Sequence, residues 1–145
     1  MKIENLKIPL SEADIDSIHK LLKQLDPKAL PQSRERLETI LAGADGGGIW
    51  IVRDDRGSIF AMASMFVVTT LQKKTGIIED AVVDEASRGK GIGSALIDTL
   101  IARARELDLD RVELTSSPFR EAANILYQKK GFKRRETNCY VLKLL

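Results

Sequence analysis

Cysteine is almost missing from this chain. Cys139 is the only one, so no disulfide can close within the chain, and the sequence is compatible with a reducing compartment. Histidine is equally scarce: His19 stands alone in an N-terminal helical segment and reads as a surface residue. One imidazole and one distant thiol assemble neither a metal cluster nor a Cys–His nucleophile pair, so no metal site is expected. Aromatic residues make up only 5% of the chain, and Trp50 in "GGGIWIV" reads as core. No run approaches the ~18 apolar residues of a membrane span. The opening "MKIENLKIPLSEADIDS" has no apolar stretch of the kind a signal peptide carries. Charge of one sign is lacking too. The 23 basic and 21 acidic residues leave +2, which predicts no nucleic-acid partner and requires any basic site to be local. The expectation is a soluble, cytoplasmic protein with no membrane and no nucleic-acid partner.

What is present is the balance of an ordinary globular chain, 43% hydrophobic and 30% charged over 145 residues. That suits a single domain spanning 1–145 with one core. "KIENLKIPL" reads as a short strand. Ser11, with Asp14 three residues on, marks a helix start, and Ile15, Ile18, Leu21, Leu22 and Leu25 then recur at helical spacing until Pro27. Pro31 suits the first turn of a second helix that Gly43 ends. "IWIVRD" and "SIFAMASMFVVTT" read as strands joined by a "DRG" hairpin turn, and "GIIEDAVVD" follows the "QKKTG" turn as a third. A helix with Ile92, Leu96 and Leu100 on one stripe comes next. Then come the strand "RVELTS", a helix over 120–130 ended by Gly131, and a last strand in "NCYVLKLL". The order β-α-α-β-β-β-α-β-α-β predicts an α/β domain whose mixed, mostly antiparallel central sheet is flanked by helices.

The most informative stretch is "EDAVVDEASRGKGIGSAL", residues 79–96. Gly89, Gly91 and Gly93 alternate between a strand and a helix, with Arg88 and Lys90 among them. A helix start offers unpaired N–H groups and partial positive charge, and glycines let a ligand approach bare backbone. The arrangement suits a phosphate group, or it is a flexible turn solvated by two basic residues. It is not a P-loop, because Gly91 follows Lys90 and no glycine lies five before Gly89. Nor is it a dinucleotide fingerprint, because Ser94 and Leu96 occupy the positions a third glycine would need.

The spacing present is Arg88-x-x-Gly91-x-Gly93. It resembles the pyrophosphate loop of the GNAT superfamily of acetyl-CoA-dependent N-acetyltransferases. "REAANILYQKKGF" resembles that family's second block, a helix carrying a Tyr followed by Gly-Phe. The resemblance covers nearly everything from residue 76 onward and extends to the first 75 residues in element order only. It implies a GNAT-like sheet and direct transfer of acetyl from acetyl-CoA to a primary amine, with CoA as product. It assigns the pyrophosphate to the backbone of Arg88, Gly89, Lys90, Gly91, Ile92, Gly93 and Ser94. It assigns the pantetheine arm to the backbone of Ala81, Val82 and Val83, whose side chains also read as strand core. An alkylammonium near pKa 10 must lose a proton before it attacks. The resemblance points to Glu79 as that base, acting directly or through water. On its own, Glu79 also reads as a solvated carboxylate or a cation-binding group. Alternation puts Asp80 on the opposite strand face.

Tyr127 matches the family's general acid for the leaving thiolate, beside a plain reading as an amphipathic core tyrosine. Arg120 stands where many relatives carry a cofactor-contacting Asn. Asn124, three before Tyr127, can share its face and is the alternative contact. The acceptor, a small-molecule or peptide amine, would lie toward the N-terminal helices, where Asp14, Asp16, Asp26 and Glu38 could attract a cation. Family members are often dimers, so a homodimer is admitted. Two other readings remain: a non-catalytic acetyl-CoA-binding regulatory module on the same fold, and a nucleic-acid-binding domain using Arg88, Lys90, Arg134 and Arg135.

Overall fold

Ser11 does what its spacing predicts. Its Oγ accepts the Asp14 N–H at 3.0 Å and opens helix α1 (Glu12–Leu25), which ends two residues before Pro27. Helix α2 (Arg34–Ala42) is opened in the same way by Ser33, whose Oγ accepts from the Arg36 N–H at 3.1 Å. Pro31 therefore lies ahead of this helix rather than in its first turn, and Gly43 is its C-cap. Ile15, Ile18, Leu21 and Leu37 are the buried apolar residues of the two helices.

The computed structural model describes residues 1–145 and resolves them into two units, Met1–Thr115 and Ser116–Leu145. The first unit holds a sheet of five strands in the order β1 (Ile3–Asn5), β2 (Gly48–Arg53), β3 (Ile59–Thr69), β4 (Lys74–Val83) and β5 (Arg111–Glu113). Every neighbouring pair is antiparallel except β4 and β5, which run parallel and are linked through helix α3 (Ile92–Glu106). The expected mixed, mostly antiparallel sheet with flanking helices is thus present.

β2 and most of β3 are buried without the alternation of a half-exposed strand, as happens when both faces of a sheet are covered. Ile49, Ile51, Ile59, Met62 and Val82 share one core with Ile15, Ile18, Leu21 and Leu37. Trp50, Val52, Ala61, Ala63 and Met65 are also buried, and alternation turns Trp50 and Val52 to the other face. α3 contributes Ile92, Leu96, Ile97, Leu100 and Ala104 to the interior. Each fully buried aliphatic side chain stabilises by about 1.5–3 kcal/mol.

The second unit contains helix α4 (Glu121–Lys129). The strand expected in "NCYVLKLL" is not formed: residues 133–145 have no regular secondary structure. Alternating apolar residues make a segment able to become a strand, but a strand exists only where its peptide groups find a ladder, and the sheet ends at β5. The "RVELTS" strand is likewise cut to Arg111–Glu113. No helix is long and apolar enough to cross a membrane.

One polar cluster ties the N-terminal elements together. Arg53 Nη1 and Nη2 donate to the Asp14 carboxylate at 2.7 and 3.0 Å, while its Nε donates to Glu4 at 2.8 Å and Nη1 also reaches the Gly57 carbonyl at 2.9 Å. The guanidinium holds the buried Asp14 carboxyl below the usual carboxylate range against the opposing effect of burial, and the same pairing raises Arg53. Asp14's depressed folded value means that its contribution is complete above the unfolded carboxylate pKa and lost as pH falls through the folded one. Arg53→Met should destabilise the protein by about 2–4 kcal/mol, because it strands the Asp14 charge. The companion Asp14→Leu/Arg53→Met pair should recover most of that loss and flatten the acid side of the stability curve. Urea unfolding at several pH values checks both outcomes.

Candidate functional site

The site is built on two departures from regularity at the end of β4. The first is a bulge. Met62 faces Val82 and Ser64 faces Glu79, so Asp80 and Ala81 together oppose Ala63 alone. Asp80 takes φ +51°, a left-handed conformation that costs a non-glycine residue about 1 kcal/mol but suits Asp better than most. The bulge interrupts the regular register here, and Glu79 and Asp80 are both exposed. Burial of the surroundings raises the Glu79 carboxyl above its ordinary value, and the neighbouring Asp80 charge raises it further. Asp80 is itself raised by desolvation.

The second departure is a lost partner. β4 pairs with β5 only at Thr75, Gly76 and Ile77. From Ile78 to Val83 the side of β4 that would continue toward β5 has no strand beside it, although its peptide groups still require partners. Val82 is buried in the core, so its side chain packs while its backbone lies along the open edge; Ala81 and Val83 are half-buried.

Beyond β4 the chain makes a 3-10 turn at Glu85–Ser87, then the glycine loop, then α3. Gly89 and Gly91 have φ +79° and +78°, and a Cβ built at either would meet nothing within 4 Å. The glycines are therefore required by the backbone conformation, and the space above them is open. Gly91 is the N-cap of α3 and supplies no side-chain hydrogen bond. The first helical bond runs from the Ala95 N–H to the Gly91 carbonyl at 3.1 Å, which leaves the Ile92, Gly93 and Ser94 N–H groups without intrahelical acceptors. Successive N–H groups around left-handed residues form a concave anion seat, reinforced by the helix dipole. A glycine cap costs only a few tenths of a kcal/mol relative to a good side-chain cap, far less than the burial of Ile92, Leu96 and Leu100 returns.

The loop is held from both sides. Arg88 Nε donates to the Val83 carbonyl at 2.9 Å, turning this side chain back onto the strand end. Lys90 is exposed. Gln24 of α1, absent from the sequence-based candidates, grips the loop root with both ends of its amide: Nε2 donates to Asp84 Oδ1 at 2.7 Å, and Oε1 accepts from the Glu85 N–H at 2.9 Å. That contact spans about 60 residues of sequence and has no local signature.

In the second unit, "LYQKKGF" is a helix terminus. The Phe132 N–H bonds the Tyr127 carbonyl at 3.0 Å and the Gly131 N–H bonds the Gln128 carbonyl at 3.0 Å, with Gly131 at φ +97°. This is a Schellman motif, and its apolar contact is the Tyr127–Phe132 ring pair, edge-on at 6.0 Å between centroids. Gly131 and Phe132 thus fix the direction of Tyr127. Burial raises the phenol above its ordinary pKa, with Arg120 acting the other way. Asn124 Nδ2 donates to the Ser117 carbonyl at 3.0 Å and so secures the segment before α4. Arg120 is the N-cap of α4.

The first unit therefore brings together Glu79, Ala81, Val82, Val83 and Arg88–Ser94, while Tyr127 and Asn124 share α4. Three of the N-terminal acids are already engaged: Asp14 by Arg53, Asp26 by the Lys28 N–H at 2.9 Å, and Glu38 by Arg34 and the Leu10 N–H. His19 is half-buried and its Nε2 accepts the Gln32 N–H at 2.9 Å, which gives it a structural part in joining α1 to the following loop.

The chain is similar to known proteins along most of its length. The model of the Acetyltransferase (GNAT) family matches residues 15–132. A glucosamine 6-phosphate N-acetyltransferase of Trypanosoma brucei brucei is 34% identical over 133 residues, covering 88% of each chain. The uncharacterized N-acetyltransferase YdgE of Bacillus subtilis is 29% identical over 110 residues, covering 74% of this chain and 70% of its own. A crystal structure of a Trypanosoma brucei acetyltransferase superposes with a TM-score of 0.81 at 28% identity, over 98% of this chain and 99% of that one. The family model runs through both units and most of the chain, so the chain belongs to the GNAT family of acetyltransferases.

Proposed function

We propose that residues 1–145 act as one N-acetyltransferase domain that moves the acetyl group of acetyl-CoA directly onto a primary amine. The observation that carries this reading is the pair of open stretches of main chain, the side of β4 left without a neighbouring strand after Ile77 and the uncapped start of α3. An extended pantetheine arm can pair with the edge of β4 at Ala81–Val83, and a pyrophosphate fits the uncapped start of α3. Acetyl-CoA, which enzymes of this family generally use, supplies an acetyl group activated as a thioester; the rest falls to the chain's own residues.

Glu79 is the base. Its raised carboxyl is a better proton acceptor than an ordinary glutamate, and its exposure lets it take a proton from the acceptor ammonium directly or through water. Tyr127 keeps its proton at neutral pH, as any phenol near pKa 10 does, and burial favours the neutral form further, so its hydroxyl can protonate the departing sulfur. The 34% identical relative named for glucosamine 6-phosphate makes an amino-sugar phosphate the first acceptor to test.

Calorimetric titration should show micromolar binding of acetyl-CoA and CoA but not of ATP or NADH. Gly91→Glu should abolish it, since its carboxylate would fill the anion seat at a left-handed position. Binding of ATP or NADH instead would remove the assignment. The pH profile of kcat/KM should rise through an acid limb lying above the ordinary glutamate value near 4.3. Asp80→Asn keeps a residue that tolerates the bulge and should move that limb downward; Glu79→Gln should erase it, with a loss of about 10²–10⁴-fold. Tyr127→Phe should lower kcat by at least tenfold, and Phe132→Leu by less, with acetyl-CoA affinity retained. Unchanged turnover in both Glu79→Gln and Tyr127→Phe would assign the chemistry elsewhere. Full binding with no turnover on any amine would favour a regulatory acetyl-CoA-binding module.

A further inference from the structure

The turn between β4 and the glycine loop has its N–H groups occupied, unlike the helix start that follows it. The Asp84 N–H closes the β3–β4 ladder on the Phe60 carbonyl at 2.8 Å. The Ser87 N–H bonds the Asp84 carbonyl at 2.8 Å, and the Ala86 N–H bonds Asp84 Oδ2 at 3.2 Å. The Glu85 N–H goes to a different element, donating to Gln24 Oε1 of α1 at 2.9 Å. Arg88 turns its Nε back onto the Val83 carbonyl at 2.9 Å. Except for the end of the ladder and Gln24, these ties run between residues at most five apart, and they fix the shape of the turn rather than its place.

Gln24 is itself firmly held. It is half-buried and lies three residues beyond Leu21, on the same helix face, where Leu21 is 1% exposed. Its amide presents a donor and an acceptor side by side: Nε2 donates to Asp84 Oδ1 at 2.7 Å while Oε1 takes the Glu85 N–H. A carboxylate here could only accept, a lysine only donate, and an asparagine is one methylene shorter. The Gln24 hydrogen bond holds the Asp84 carboxyl below the usual carboxylate range against the effect of burial, and the Ala86 N–H, Lys20 and Arg88 act in the same direction as Gln24. The contact is therefore a charge-assisted one.

We propose that Gln24 is a positioning residue for the anion seat: by tying the 84–87 turn to α1 it sets where Arg88–Ser94 lie, and so sets the affinity for CoA. The inference rests on the acetyl-CoA reading and adds to it a residue that touches none of the reacting atoms. Without Gln24 the turn keeps its internal bonds but loses its tie to a helix anchored in the core. The Glu85 N–H becomes one more free donor ahead of the seat. A ligand must then order the loop as it binds, and that cost appears in its affinity.

Calorimetric titration of the full chain with CoA tests it. Gln24→Leu should raise the Kd about tenfold with the binding stoichiometry unchanged; a variant that merely folded poorly would lose stoichiometry instead. Gln24→Glu sets two carboxylates together and should weaken CoA at least as far. Adding Asp84→Asn to it exchanges donor for acceptor. The new amide donates to the new carboxylate, which still accepts the Glu85 N–H, and the Ala86 N–H keeps a carbonyl acceptor. This double variant should return to within about threefold of the wild-type Kd. An unchanged Kd in Gln24→Leu, a loss seen only in stoichiometry, or a double variant no better than Gln24→Glu would each overturn the proposal. Should either single variant unfold, the double variant decides: near-wild-type affinity supports positioning, and weakened affinity refutes it. A wild type that binds no CoA would instead remove the acetyl-CoA reading, and this proposal with it.

Discussion

A strand that loses its neighbour halfway along is the feature on which the proposed acetyl-CoA site depends. β4 and β5 share three residues of parallel pairing, and the remainder of β4 keeps a ladder with β3 on one side only. Peptide groups on the other side have no strand beside them and still require partners. The bulge at Asp80 lies in that stretch, and Glu79 and Asp80 are both exposed there. A hydrogen-bonded turn at Asp84–Ser87 follows, and beyond it the glycine loop and the uncapped start of α3 offer main chain again. Strand end, loop and helix start follow one another along the chain, and each offers backbone rather than side chains.

That backbone keeps its place only if the elements around it are stiff. Buried Ile92, Leu96 and Leu100 anchor α3, so its first turn can leave N–H groups unpaired at small cost. Gln24 and Arg88 clamp the loop root from α1 and from the end of β4. The Asp14–Arg53–Glu4 cluster fixes α1 against the first two strands, so the clamp itself has a firm base. In the second unit, the Schellman turn at Gly131 and the Phe132 ring do the corresponding work for Tyr127.

How much of this was legible in the sequence follows from the range of the interactions. Local chemistry was legible: Ser11 and Gly43 mark helix ends, and Gly89 to Gly93 spell a backbone that leaves the right-handed region at two of its glycines. The "YQKKGF" run names a helix terminus as well as a family. Tertiary consequences were not. Nothing in "IEDAVV" announces that Asp80 will be the bulged residue, because alternation continues on paper through a position the register skips. Gln24 is invisible for the same reason, its partners lying some 60 residues away. The final strand was over-read: "NCYVLKLL" has the side chains for a ladder, but sequence cannot say whether its own chain offers a free edge.

The central claim, that open backbone from β4 into α3 receives acetyl-CoA, is tested most directly by amide hydrogen exchange with and without that ligand. The account predicts strong added protection within 78–83 and 88–94, while the paired N-terminal half of β4 and the hairpin at 54–58 stay unchanged. Protection confined to other segments, or none at saturating ligand, would contradict it.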